Sequence, residues 1–415
     1  MQSSEEFSAA AADASPEVWH SVNREDAHGH GTPSLLFVVN VAWFFASHRL
    51  ALARAAISAG FHVHLASDLE HESEVTEIRR WGIQFHRMRV ARSGLNPVDE
   101  VKTIRELRRI MRLVRPDIVH NVTAKPVIYG SRIAHALGIT GVVNAMSGFG
   151  YAYSARRGRR LLRGALDMAY ARAFNPPNVR IVVQNDHDRA EVLRICPGAT
   201  ARVRLIRGSG VDLSEFRYWP EPEGTPTVVL PARLLREKGV CEFAAAAAEL
   251  LRSGLAARFV LAGRLDAANR GALTAEQVRE LCMDSGLEWI GDCMDMPRLF
   301  RESHIVCLPS YREGMPKVLL EACASGRAII TTDTPGCRDV IQAGRNGLLV
   351  PPRDVQALAM AIRELVEDAP RRKRMGAEAR ILAERGFGVE DVVRTHLEMY
   401  RELLDLPAGP VVSLP

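Results

Sequence analysis

Along the chain, short continuous apolar runs alternate with longer segments whose apolar positions recur at helical spacing. Leu35–Val41, Phe61–Ala66, Gln84–Met88, Asp117–Asn121, Gly141–Ala145 and Arg180–Gln184 read as strands. Between them Arg49–Ala59, Ser73–Trp81, Asp99–Val114 and Val127–Leu137 read as helices, two of them stopped by Gly60 and Gly138. The scheme restarts near Thr227, with strands at Val228–Leu230, Phe259–Gly263, Trp289–Gly291 and Ile305–Leu308, and helices at Val355–Glu367, Pro370–Glu384 and Glu390–Leu404. Glycine-rich Ile206–Asp212 is the expected joint between the halves. Strand–helix alternation predicts the α/β class, with parallel sheets covered on both faces. Two doubly wound domains are expected to face one cleft, with ligands at the carboxyl ends of the strands.

The 415 residues suit two domains better than one core. No stretch approaches the ~18–20 apolar residues of a membrane span. The longest apolar run, Leu35 to Phe45, is broken by Asn40 and reads as a strand leading into a loop. Residues 1–31 are rich in Ser, Ala, Glu and His and read as a disordered tail, His28 and His30 included. Seven cysteines without Cys-x-x-Cys pairing fit small buried hydrophobes in a reducing cytosol. A net charge of +5 is too weak to imply nucleic acid. Arg156, Arg157, Arg159, Arg160, Arg163 and Arg172 nevertheless crowd one apolar-interleaved segment, which reads either as an interfacial, anion-facing helix or as a solvated face.

The chemistry concentrates in Pro309-Ser310-Tyr311-Arg312-Glu313-Gly314-Met315-Pro316-Lys317-Val318-Leu319-Leu320-Glu321. Gly314 permits a tight turn, and Pro316 suits the first position of a helix running to about Gly326. Glu313 is then a loop carboxylate, and Glu321 lies about two turns into the helix. The helix N-terminus between them suits a phosphate. Arg233 and Lys238 follow another strand, five positions apart, just before a helix that starts near Gly239. No Gly-x-Gly-x-x-Gly follows the first strand, which argues against a nicotinamide enzyme.

Glu313 and Glu321, with seven residues between them that include Gly-Met-Pro, resemble the retaining family 4 glycosyltransferases of the GT-B fold. The series Pro231-Ala232-Arg233, Glu237-Lys238-Gly239, Thr331–Gly336 and Asn346–Val350 agrees with that family in order, over about residues 34–405. Phe45–Leu50, Ser147–Tyr151 and Met315–Glu321 bring it nearest to the CapM- and PglA-like transferases of bacterial surface-glycan assembly. After the tail at 1–31, the resemblance implies an acceptor-side Rossmann-like domain at 32–207, a nucleotide-sugar-binding Rossmann-like domain at 208–388, and a helix at 389–405 crossing back to the first domain. It also implies transfer of a hexose or N-acetylhexosamine from a nucleotide diphosphate sugar, UDP being expected, with retained configuration.

In that scheme Glu313, Arg233, Lys238 and His120 carry catalysis, and Glu321, Gly314, Met315, Pro316, Gly263 and Gly291 bind the donor. His48, Arg49, Lys125 and Asn144 are acceptor-side candidates. His48 and Arg49 stand where many relatives have a Gly-Gly loop. The expected acceptor is a polyprenyl-diphosphate-linked sugar or growing glycan, reached by a peripheral cytoplasmic protein at the inner face of the plasma membrane through the Arg156–Arg163 region. Asp186-His187-Asp188 looks like a metal motif, but its place at the opening of a helix reads as a cap; no metal or other cofactor is expected. A sugar-nucleotide epimerase and an inactive carbohydrate-binding subunit are the rival readings.

Overall fold

The computed structural model describes residues 32–90, 96–149, 160–267, 269 and 271–407. The tail at 1–31, Gly150-Tyr151 and Arg156–Arg159 lie outside the described residues, as do the side chains of Arg160 and Leu161.

The first sheet holds β1 (Ser34–Val41), β2 (His62–Asp68), β3 (Gln84–Arg87), β4 (Ile118–Val122), β5 (Gly141–Ala145), β6 (Val179–Val183) and β7 (Val203–Leu205). Its order is β3-β2-β1-β4-β5-β6-β7, and the pairings are parallel. The second holds β8 (Thr227–Pro231), β9 (Arg258–Ala262), β10 (Glu288–Trp289), β11 (Ile305–Leu308), β12 (Ala328–Thr332) and β13 (Gly347–Val350), again parallel, in the order β10-β9-β8-β11-β12-β13. Successive side chains of a strand point to opposite faces, so a strand covered on both sides is apolar throughout. In β1, Leu35, Phe37 and Val39 enter one core while Leu36 and Val38 enter the other. In β8, Val228 and Leu230 part from Val229 in the same way.

Each sheet reverses its winding at one point, between β1 and β4 and between β8 and β11. The crevices there open towards each other. The helices that flank them are α1 (Ala42–Ser58), α4 (Ala124–Ala136), α6 (Asp186–Ile195), α7 (Val240–Arg252) and α10 (Lys317–Ala324).

The chain passes between the domains twice. It crosses once after Ile206, which belongs to the first core, and returns at the final helix, α13 (Val389–Leu403). Val392, Leu397 and Tyr400 of α13 pack in the core under β1. The crossings run side by side: Val211 N–H donates to Phe387 O (2.8 Å) and Val389 N–H to Val211 O (3.1 Å). A Cβ on Gly210 would stand 2.5 Å from Val389 Cα, so the contact requires glycine.

Two local expectations change. Residues 42–48 are the first turns of α1, which begins directly after β1, with Val41 at its N-cap and no side-chain cap. Pro316 is the N-cap of α10 rather than its first residue, and Glu321 therefore lies one turn into that helix.

Candidate active site

The two winding reversals enclose a cleft of about 1040 Å³, a size that suits a small-molecule ligand. From the second domain, Arg233 follows β8 and Lys238 ends a single 3-10 turn before α7. Gly239 starts α7 at φ +74°, and any Cβ there would meet Pro309 O at 2.2 Å. That close approach sets Lys238 beside the loop after β11. Its ammonium pairs with Glu313, whose Oε1 also accepts from Ser310 Oγ (2.7 Å). Arg233 Nη1 pairs with Asp266 Oδ2 (2.7 Å), and Lys317 Nζ with Glu321 Oε1 (2.5 Å). These three cation–carboxylate pairs line one wall. A diphosphate entering here meets cations held in place by carboxylates, and a diol meets acceptors. Met315 and Pro316 border the same wall, as does Gly263. Gly291 lies behind it, where its carbonyl accepts from Gly263 N–H (2.7 Å).

The first domain supplies Asn40, Trp43, Phe44, His48, Thr123 and Gln184. His48 stacks on Phe44 (4.1 Å between centroids). Burial first, then the cations Arg49, Lys317 and Arg233, push its pKa down to about 3. At neutral pH it is therefore an uncharged hydrogen-bonding group, with Nδ1 buried and unpaired among the described residues. Thr123 has φ +74°, an outlier for a β-branched residue, and its buried hydroxyl neither caps α4 nor finds another partner among the described residues. Trp43 reaches across the mouth. Its indole N–H donates to Glu70 Oε1 (3.1 Å), Glu70 pairs with Arg264 of the second domain (2.8 Å), and the Arg233 and Arg264 guanidinia lie over its ring at 5.3 and 4.6 Å.

Besides Gly291, four expected site residues do not border the cleft. His120 is fully buried opposite Phe37, where its Nδ1 is 2.6 Å from the Tyr400 hydroxyl and its ring stacks on His396. Strand alternation turns it towards α13. Arg49 sits on the inner side of α1 at 4% exposure and donates to the His48 carbonyl (2.9 Å). Lys125 pairs with Glu100 (2.5 Å), which also accepts from Tyr129 (2.7 Å). Asn144 is buried and accepts from Asn121 Nδ2 (3.0 Å) and Ser131 Oγ (2.8 Å). In the basic segment, Arg163 pairs with Glu191 (2.8 Å) and Arg172 is exposed.

Sequence reasoning missed Asp266, Lys317, Trp43 and Thr123. The i,i+4 spacing of Lys317 and Glu321 could have signalled the second. The cap reading at Gln184-Asn185-Asp186 matches the geometry: Asn185 is the N-cap of α6, its Oδ1 accepting from Asp188 N–H (2.8 Å).

Residues 213–381 match the model of the glycosyl transferases group 1, and residues 34–176 that of the glycosyl transferase 4-like domain. An N,N'-diacetylbacillosaminyl-diphospho-undecaprenol alpha-1,3-N-acetylgalactosaminyltransferase of Campylobacter jejuni is 26% identical over 74% of this chain and 83% of its own length. A UDP-Gal:alpha-D-GlcNAc-diphosphoundecaprenol alpha-1,3-galactosyltransferase of Escherichia coli is 22% identical over 66% of this chain and 73% of its own. The sucrose-phosphate synthase of Thermosynechococcus elongatus shares the fold, with a TM-score of 0.73 at 17% identity over 90% of this chain and 99% of its own. The chain is a glycosyltransferase of the GT-B fold and belongs to the group 1 glycosyltransferases.

Proposed function

We propose that the protein moves a hexose or N-acetylhexosamine from a nucleoside diphosphate sugar, UDP being the expected carrier, to a polyprenyl-diphosphate-linked sugar or growing glycan, with retained configuration. The observation that carries this reading is the placing of Arg233, Lys238, Glu313 and Glu321 on one cleft wall at the winding reversal of the second sheet. The two relatives above, which by name act on undecaprenyl-diphosphate-linked sugars, support the acceptor class, and the second supports UDP.

As the bond between C1 and the β-phosphate oxygen breaks, its electron pair leaves with the diphosphate. Arg233 and Lys238 stabilise that charge as it grows. Glu313 holds sugar hydroxyls and Glu321 the ribose diol. The cleft wall of the first domain contributes no carboxylate among the described residues, which favours front-face attack over a covalent glycosyl-enzyme. In front-face attack the acceptor hydroxyl bonds to C1 on the side the phosphate leaves, and its proton goes to the departing phosphate oxygen. The protein-borne cations support metal-independent transfer. No helix among the described residues is long and apolar enough to cross a membrane, and peripheral contact at the inner face of the plasma membrane completes the reading.

The test is a thermal-shift screen against nucleotide sugars with EDTA present, followed by nucleotide release with and without a lipid-linked acceptor. Stabilisation by one donor and acceptor-dependent release are expected. Release without acceptor would make the protein an epimerase or hydrolase, and stabilisation by no donor would refute the donor site.

A further inference from the structure

The donor loop around Gly314 is gripped from both sides. On the side of the first domain, a Cβ on Gly314 would stand 2.5 Å from Gln184 Oε1 and 2.8 Å from the Ser147 carbonyl carbon. On the other, a Cβ on Gly336 would stand 2.3 Å from the Gly314 carbonyl oxygen and 2.7 Å from that of Glu313. A directed bond crosses this packing: Asn185 Nδ2 donates to the Gly314 carbonyl at 2.7 Å.

The orientation of that amide is set by its own helix. Asn185 is 2% exposed. Its Oδ1 accepts from Asp188 N–H (2.8 Å), and one hydrogen of Nδ2 goes to Asp188 Oδ2 (3.0 Å). With the oxygen and one hydrogen committed, the second hydrogen points across the interface to Gly314. Flipping the amide would lose all three bonds. The N-cap of α6 thus doubles as a contact between domains, and it touches the residue next to Glu313.

We infer that Asn185 is a positioning residue for the transfer: by holding the Gly314 carbonyl from the opposite domain, it aligns Glu313 and Met315 for the donor only when the domains are together. The inference rests on the proposed donor site. It ties closure to site assembly, because the bond exists only where the domains meet. Binding of a donor to the aligned loop and approach of the first domain then favour each other.

Asn185→Ser separates the two roles, since serine still caps a helix but is too short to reach Gly314. The probe is uridine diphosphate, or whichever nucleoside diphosphate of the screen binds, titrated by calorimetry. Loss of the bond to Gly314 at closure is expected to weaken binding and lower kcat/KM roughly tenfold, whereas loss of the companion bond to Asp188 lowers the melting temperature without weakening binding in proportion. Asn185→Asp keeps the cap but turns an anionic oxygen towards both the Gly314 carbonyl and the Asp188 carboxylate, with His187 beside them and Arg312 and Asp339 facing them from the second domain. Its binding should fall further and recover as pH drops from 8 to 5.5, because a protonated carboxyl donates to that carbonyl again. Wild-type affinity in Asn185→Ser, affinity lost only in step with melting temperature, or an Asn185→Asp profile parallel to that of the wild type would each overturn the inference alone. If the wild type binds no nucleoside diphosphate, the donor site itself is refuted and the inference falls with it.

Discussion

Replacing Lys238 by alanine removes the cation nearest to Glu313 on the donor wall. The two side chains are 17% and 13% exposed, so water screens them only partly. A unit charge ~4 Å from a phosphate oxygen is worth about 4 kcal/mol at an effective dielectric constant near 20. Arg233 and Lys317 remain, and Glu313 already offsets part of the field. The share specific to the transition state is therefore about 2–3 kcal/mol, a loss of about 30- to 160-fold in kcat. Affinity for the nucleotide should fall less than kcat, because the charge on the leaving oxygen grows as the bond breaks. Glu313 keeps the Ser310 hydroxyl as donor, so Lys238→Ala should still fold, with about 1–2 kcal/mol less stability. The assay is acceptor-dependent nucleotide release at saturating donor, beside calorimetric binding of the nucleotide. Turnover within threefold of the wild type, or a loss seen wholly as weaker binding, would remove Lys238 from the leaving-group clamp.

Asp188 gives a pH prediction. Burial raises its pKa from 3.8 to about 6, with Asp339 adding to the rise while Asn185, His187 and Arg312 oppose it; Tyr170 packs nearby. A carboxyl with a raised folded pKa penalises folding above that value, and the penalty fades as pH falls through 6 towards 3.8. Asp188→Asn should therefore gain about 2–3 kcal/mol over the wild type at pH 8 and little at pH 4; parallel stability profiles in urea would refute this. At Thr123, glycine relieves the positive φ and alanine does not, so Thr123→Gly should be more stable than Thr123→Ala by about 1 kcal/mol in urea unfolding, both with reduced kcat/KM. Equal stabilities would remove the strain. Changing Arg156, Arg157, Arg159, Arg160 and Arg163 together to glutamine should abolish sedimentation with anionic liposomes, and unchanged sedimentation would refute membrane contact through that segment.

The strands were legible because burial on both faces leaves an apolar run with no alternation, as in Leu35–Val39 and Ile305–Leu308. The start of α1 was not, since the same apolarity continues through Ala42-Trp43-Phe44-Phe45 and no capping side chain marks the change. On the donor wall Arg233, Lys238, Glu313 and Glu321 could be named because each sits in a short local motif, a strand end or the helix just after it, that resembles the family's. The opposite wall resisted. His120 and Asn144 sit on strands, where one step in register decides between cleft and core. The partnership of Asn185 with Gly314 joins positions 129 apart and leaves no local trace.

The paired crossings at Val211 and Phe387–Val389 have a mechanical meaning. A single tether would let one domain swivel and twist freely over the other. Two strands laced together by hydrogen bonds, with no room for a side chain at Gly210, act as the pin of a door. Rotation about such a pin would part the cleft mouth at Trp43 and Arg264 while keeping these bonds, whereas sliding or torsion would break them.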